Sequence, residues 1–289
     1  MFLVSDEGVI VVDCPPTLDI NLKYAIGNVT DQPVRKFIYS HAHNDHVGSA
    51  SIFSSGNNNN SNSSVDFIAH TETAVLIEAV PGGDTGRPIP TETFDKNTTV
   101  QVGNQTVELA YFGPNHQPGN IFIYVPSSKI LMLVDVIIPG WAPAPNLAIA
   151  EFVPGFVEAH DIALQYDFEV FIGGHFYRNG NRQDVELIRD YVYDVLETTR
   201  RMLSDPEIEA RAVENLATTL EQNPANIYAV IPSYNNFSAD MIAQQLIDRW
   251  LGVLAGVDVV ALTHATRMLL AIRIEYGEFS VSPFTNPDR

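Results

Sequence analysis

The chain has 289 residues, 45% of them hydrophobic, with 35 acidic against 16 basic side chains, for a net charge of −19. That length and apolar content suit one large domain, or one with a smaller appendage. The acidic excess works against nucleic-acid binding, which needs Lys and Arg to neutralise phosphates. The single cysteine, Cys14, excludes an intrachain disulfide, and with no apolar run of about 18 residues a membrane-spanning helix is not expected.

In chain order, Met1-Phe2-Leu3-Val4 reads as entry into a strand rather than a secretory leader. Val34–Ser40 is rich in β-branched and aromatic residues and predicts a strand. It runs into Ser40-His41-Ala42-His43-Asn44-Asp45-His46, where four metal-binding side chains fall within six positions. In extended chain, residues i and i+2 point the same way, so His41 and His43 can grip one ion together. Asp45 and His46 then lie where the chain turns into a short helix starting at Val47, free to face a second ion. Three of the chain's eight histidines fall in this one turn, which is far more specific than a lone histidine. The tract from Gly56 to Ser64 is polar and asparagine-rich and predicts a mobile surface loop. Residues 80–97, with Pro81-Gly82-Gly83 and Pro88-Ile89-Pro90, read as another loop.

Further ligand candidates recur at predicted strand ends. Thr106–Phe112 and Ile121–Val125 flank a Gly/Pro turn that carries His116. The apolar run Lys129–Val134 closes on Asp135. Glu169–Ile172 is followed by Gly173-Gly174-His175. Strand ends are where open α/β sheets place their sites. Beyond His175 the pattern turns helical, over Asp184–Leu203, Pro206–Leu220, Ala239–Ala255 and Val257–Tyr276, with Asn223-Pro224 as a break. His70, His160 and His264 read as core or surface histidines, not ligands.

The order His-x-His-x-Asp-His, then His116, Asp135 and His175, resembles the metallo-β-lactamase superfamily over roughly residues 2–180. The resemblance implies an αββα sandwich of two mixed sheets flanked by helices over residues 1–182. A mainly helical C-terminal extension, 183–289, would pack on it. The family usually has one more strand at the start, so a first strand is expected to be missing. Asp13, at the end of Val9–Val12, resembles the family's Asp in an Asp-Thr-Gly turn, although Cys14-Pro15-Pro16 follows it here. By the same likeness His41, His43 and His116 hold a first metal, Asp45, His46 and His175 a second, and Asp135 bridges them. Imidazole and carboxylate donors without thiolate suit zinc, with iron or manganese as alternatives. His43 differs from the Glu that di-iron members generally carry. Asp135 differs from the Cys or Ser of the true β-lactamases, which points to the broader hydrolase branch.

The implied chemistry is hydrolysis by a zinc-bridged hydroxide attacking the carbonyl carbon of a lactone, β-lactam or related ester or amide. Asp45 would carry the proton to the leaving group. Tyr177, ahead of Tyr111, would donate to the oxyanion. Trp141 and Phe152, with Phe156, would form an apolar wall for a small-molecule substrate, and Asn120 and Ser40 would hydrogen-bond ligands or substrate. Rival readings are a thioesterase like glyoxalase II, an iron-dependent persulfide dioxygenase, and a non-catalytic zinc scaffold. The first needs cations that the tail supplies only sparsely (Arg200, Arg201 and Arg211 among them). Against the last, seven ligands for two ions leave coordination open to water. The C-terminal helices could also pair two copies as a homodimer. Six Asn-x-Ser/Thr sequons favour a secreted or periplasmic location over a cytoplasmic one.

Overall fold

Strands throw successive side chains to opposite faces, and in Val9–Val12 and Phe122–Val125 both faces are apolar, so each sheet must be covered on both sides there. The computed structural model describes residues 1–54, 64–81, 83, 86–175 and 178–278. Most of the asparagine-rich tract, residues 56–63, lies outside the described residues, as does Tyr177. Strands β1 (Phe2–Val4), β2 (Val9–Val12), β3 (Val34–Ile38), β4 (Asp66–His70) and β5 (Glu92–Phe94) form one sheet in that order, parallel except for the β1–β2 hairpin. Strands β6 (Asn97–Val102), β7 (Gln105–Ala110), β8 (Phe122–Val125), β9 (Ile130–Met132) and β10 (Val170–Ile172) form the second, antiparallel except where β10 pairs with β9.

The period-two alternation sorts the core into layers. Ile10, Val12, Ile38 and Ile68 of the first sheet meet Val107, Ile123, Val125 and Met132 of the second. Val9, Val11, Phe37 and Phe67 point the other way, under Leu22 and Ile26 of α1 (Ile20–Gly27) and Ile77 of α3 (Thr71–Glu78). Phe122, Leu131 and Phe171 leave the second sheet on its outer face, against α5 (Val153–Ala163), α6 (Arg182–Leu203), α8 (Ile227–Trp250) and α9 (Val257–Ile274). Two mixed sheets between helices make the αββα sandwich, and the C-terminal helices share its core rather than hanging free.

Local signals explain the joints. The β6–β7 hairpin turns on Gly103-Asn104, and Gly103 sits at φ +52, where a Cβ would fall 2.1 Å from Asp6 Oδ1. Helix α6 starts in a capping box between Asn181 and Asp184 and buries Val185, Ile188, Val192 and Val195 at helical spacing. Helix α7 (Pro206–Gln222) starts with Asp205 as N-cap and Pro206 at its first position. Two differences from the sequence reading concern boundaries. Glu92–Phe94, expected as loop, adds a parallel edge strand to β4. Helix α8 begins at Ile227 rather than Ala239 and carries Pro232 within it. Among the described residues no helix is long and apolar enough to cross a membrane.

Two buried histidines outside the ligand cluster make stability acid-sensitive. His160 pairs through Nδ1 with the Phe156 carbonyl at 2.9 Å. His264 accepts from Tyr191 Oη at 2.7 Å and donates from Nε2 to the Ala144 carbonyl at 3.1 Å. Burial pushes both imidazoles down to about 4 from the ordinary 6.5. Their folded values are depressed, so the stability they contribute is complete above pH 6.5. It is lost as pH falls toward 4, because the unfolded chain takes up protons first; the limit is roughly 3 kcal/mol for each group. In metal-free protein, His264→Phe should lower the melting temperature at neutral pH yet flatten its fall between pH 6.5 and 4. An unchanged acid slope would contradict this.

Candidate metal centre

All seven residues of the expected ligand set are carried by the connections that follow strands, five on loops and two on a short helix. The turn after β3 supplies His41 and His43, and the short helix α2 (Asn44–Val47) that follows supplies Asp45 and His46, with His43 at its N-cap position. His116 comes from the loop after β7, and Asp135 follows β9 by three residues. There the chain stays tied to β10 by Leu133 N–H to the Ile172 carbonyl and Asp135 N–H to the Gly173 carbonyl, both 3.1 Å. Gly173 and Gly174 hold His175 close. A Cβ on Gly173 would lie 2.1 Å from the Ile137 carbonyl oxygen, and one on Gly174 (φ +91) 2.6 Å from Val134 Cγ1.

The donor atoms form two groups, His41, His43, His116 and Asp135, and Asp45, His46 and His175, each with its ligand atoms within 4.8 Å of one another. Asp135 is the hub. Its Oδ2 lies 3.0, 3.3 and 3.5 Å from Nε2 of His46, His116 and His41, and its Oδ1 lies 2.9 Å from Nε2 of His175. His116 Nε2 faces His43 Nδ1 at 2.9 Å, and His46 Nε2 faces His175 Nε2 at 3.1 Å. Asp45 stands at the rim with its side chain 63% exposed, 3.5 Å from His46 Nε2 and 3.8 Å from His175 Nε2.

Burial sets the protonation states. It drives His41 well below its ordinary range, lowers His43, and pushes His116 down to about 4. Burial also works to lower His46, but the Asp135 carboxylate outweighs it and the net shift is upward. Burial works to raise Asp135, but its contacts with His175 and His46 override it and hold the carboxyl well below the usual range. The lowered imidazoles of His41, His43 and His116 and the ionised carboxylate of Asp135 are in the protonation states that metal binding requires.

The donor set suits divalent metal. Four imidazole nitrogens crowd one carboxylate, and the buried Nε2 of His41 has no hydrogen-bond partner. Outer contacts aim the rings: Ser40 Oγ pairs with His41 Nδ1 at 2.9 Å, and the Ala148 carbonyl accepts from His116 Nδ1 at 2.7 Å, leaving Nε2 turned inward. Asp13 accepts from the Ser40 amide at 2.9 Å, which ties β2 to the ligand turn.

A cavity of about 460 Å³ opens beside this cluster. His43, Asp45, His116, Asp135 and His175 form one side, and Ile138, Ala144, Pro145, Ala148 and Ile149 form an apolar wall. Three of the wall residues belong to a single left-handed helical turn, α4 (Pro145–Ile149), in which Asn146, Leu147, Ala148 and Ile149 all have positive φ of 48–59°. Trp141 and Phe152, expected as the wall, are not among the lining residues. Trp141 is bridged to Ala255 and its ring stands over Gly256, while Phe152 is the N-cap residue of α5. Asn120 is fully buried and donates to Asn115 Oδ1 at 2.9 Å and the Val134 carbonyl at 3.0 Å. Tyr111 donates to Glu72 and stacks on His70, away from the cluster. Ala148 and Ile149 carried no sequence signal, being small or aliphatic residues in a Pro/Ala-rich stretch.

A family model described as the metallo-beta-lactamase superfamily matches residues 1–175. A curated relative, the 2,4-dinitroanisole O-demethylase subunit alpha of Nocardioides sp. (strain JS1661), is 26% identical over 182 residues, 62% of this chain and 52% of that protein. The chain therefore spans about half the length of this relative. The solved structure of a metallo-beta-lactamase from Pontibacter korlensis superposes with a TM-score of 0.52 at 22% identity, over 65% of this chain and 85% of that one. This last likeness is one of fold.

Proposed function

The chain belongs to the metallo-beta-lactamase superfamily, whose model matches more than half of it, and from that premise we propose that it is a hydrolase working through two divalent metal ions, zinc by its donor set. His41, His43 and His116 would hold one ion and Asp45, His46 and His175 the other, with Asp135 between them. The observation that carries this reading is the convergence of four histidine nitrogens on the Asp135 carboxylate at the floor of an open cavity. When bound, such a pair supplies Lewis acidity and an acidified water.

The chain's own residues do the rest. Ser40 and the Ala148 carbonyl fix the imidazole orientations. Asp45, a carboxylate at the rim, takes the proton of the attacking water and passes it to the departing oxygen or nitrogen. The apolar wall keeps bulk water from one side of the bond under attack. The substrate is a small molecule with an acyl bond, as in an ester or lactone.

A second reading, in which the bond broken is an aryl ether, is supported by the apolar wall and by the O-demethylase name of the curated relative. The test is a panel of an aryl ester, a lactone, a chromogenic β-lactam, a glutathione thioester and 2,4-dinitroanisole. The expected result is metal-dependent hydrolysis of the uncharged acyl compounds. Turnover of 2,4-dinitroanisole alone would select the ether reading, and turnover of none would overturn both.

A further inference from the structure

We propose that Ile138, Ala144, Pro145, Ala148 and Ile149 form a subsite for the non-reacting part of an uncharged substrate, an aryl or short alkyl group, and that this subsite discriminates against substrates bearing a carboxylate there. The inference rests on the hydrolase reading and names its substrate class.

The chemistry of the lining carries it. The wall is carbon, and among the described residues the carboxylates that line the cavity are Asp45 and Asp135, with no lysine or arginine beside them. Glu151 adds its negative field at His43. The arginines of the neighbouring segments are engaged elsewhere. Arg178 forks onto Asp184 at 2.9 and 2.5 Å. Arg267 pairs with Glu275 at 2.6 Å and donates to the Ala150 carbonyl at 2.9 Å. Arg87 donates to the Ala42 carbonyl. None of the three lines the cavity. A substrate whose scissile bond lies at the histidine cluster puts its remaining atoms against this wall. A carboxylate held against the wall would lose its hydration and find no cationic side chain there, the metal ions being held across the cavity at the histidine cluster, whereas an aromatic ring loses nothing.

The wall is also preformed. Consecutive positive-φ residues without glycine are strained, and such strain persists only where surrounding contacts over-determine it. Here Asn146 N–H donates to Thr263 Oγ1 at 3.0 Å, and the Ala144, Ala148 and Ala150 carbonyls receive His264, His116 and Arg267. Helix α9 and a residue of the metal cluster thus hold the turn from both sides. A volume of about 460 Å³ sits near the small end for ligand sites, which suits a single ring or short chain.

The test uses a nearly isosteric, non-hydrolysable pair, 4-methylbenzohydroxamate and 4-carboxybenzohydroxamate, titrated by calorimetry into the metal-loaded protein and its Ile149→Lys variant; the shared hydroxamate is a metal-seeking head group, so the para substituent is the part offered to the wall. Ile149 is 59% exposed, so the change spares the core, and an unbranched side chain suits the left-handed backbone better than a β-branched one. The expected result is tighter binding of the methyl compound by about tenfold or more in the native chain. The lysine variant should then narrow or invert that ratio by gaining affinity for the carboxylate compound. Equal or tighter binding of the carboxylate compound by the native chain, or an unchanged ratio in the variant, overturns the proposal. Metal content and 4-nitrophenyl acetate hydrolysis on the same sample separate the two claims. Selective binding without turnover would sink the hydrolase and leave the subsite; turnover with a preference for the carboxylate compound would do the reverse.

Discussion

Replacing Asp135 by asparagine is expected to cut the metal bound per chain by half or more and turnover by about a thousandfold or more, several kcal/mol of lost transition-state stabilisation. Asp135 is the carboxylate on which four histidine nitrogens converge, 2.9–3.5 Å away. Without it the imidazoles have no shared counter-charge, and two cations placed among them would repel each other unscreened. Asparagine keeps the shape and tolerates the positive φ of 67° at this position, so loss of fold is not the expected route. Circular dichroism and metal analysis on the purified variant check this. Two metals retained with turnover within tenfold of the native chain would remove Asp135 from the centre.

The second large effect belongs to Asp45. Asp45→Asn should retain most of the metal, because His46 and His175 remain on the same ion, yet lose roughly 10²–10⁴-fold in kcat with little change in KM. The side chain is largely exposed at the rim and lies farther from the histidine nitrogens than Asp135 does, so proton transfer rather than metal retention is its proposed main task. Full activity with normal metal content would remove the relay role. Loss of metal and activity together would make Asp45 a ligand only.

The ligand turn could be read from sequence because spacing alone brings His41, His43, Asp45 and His46 to one strand end, whatever the rest of the fold does. The distant members were legible for a related reason: Asp135 and His175 each follow an apolar run that must be buried, and His116 lies on a Gly/Pro turn between two strand-like runs, so each sits at a strand end. The layers were legible through the family resemblance, which implied the sandwich; the all-buried strand Val9–Val12, covered on each side, agrees with it.

What escaped depended on tertiary context. Asn223-Pro224 does separate α7 from α8, but the start of α8 at Ile227 was not legible: Pro232 lies inside the helix, which packs against α7 and α9. The left-handed turn Pro145–Ile149 has no glycine to announce it and is held by side chains of α9 more than a hundred residues away. The wall was therefore assigned to the large aromatics Trp141 and Phe152, whereas small and aliphatic residues line the cavity.

The central claim is that these seven side chains hold two metal ions, and metal content per chain by plasma mass spectrometry, on protein purified without chelator, tests it most directly. About two equivalents of zinc, falling with Asp135→Asn, is the result this account predicts. A single equivalent of iron or no bound metal, in a correctly folded chain, would contradict it.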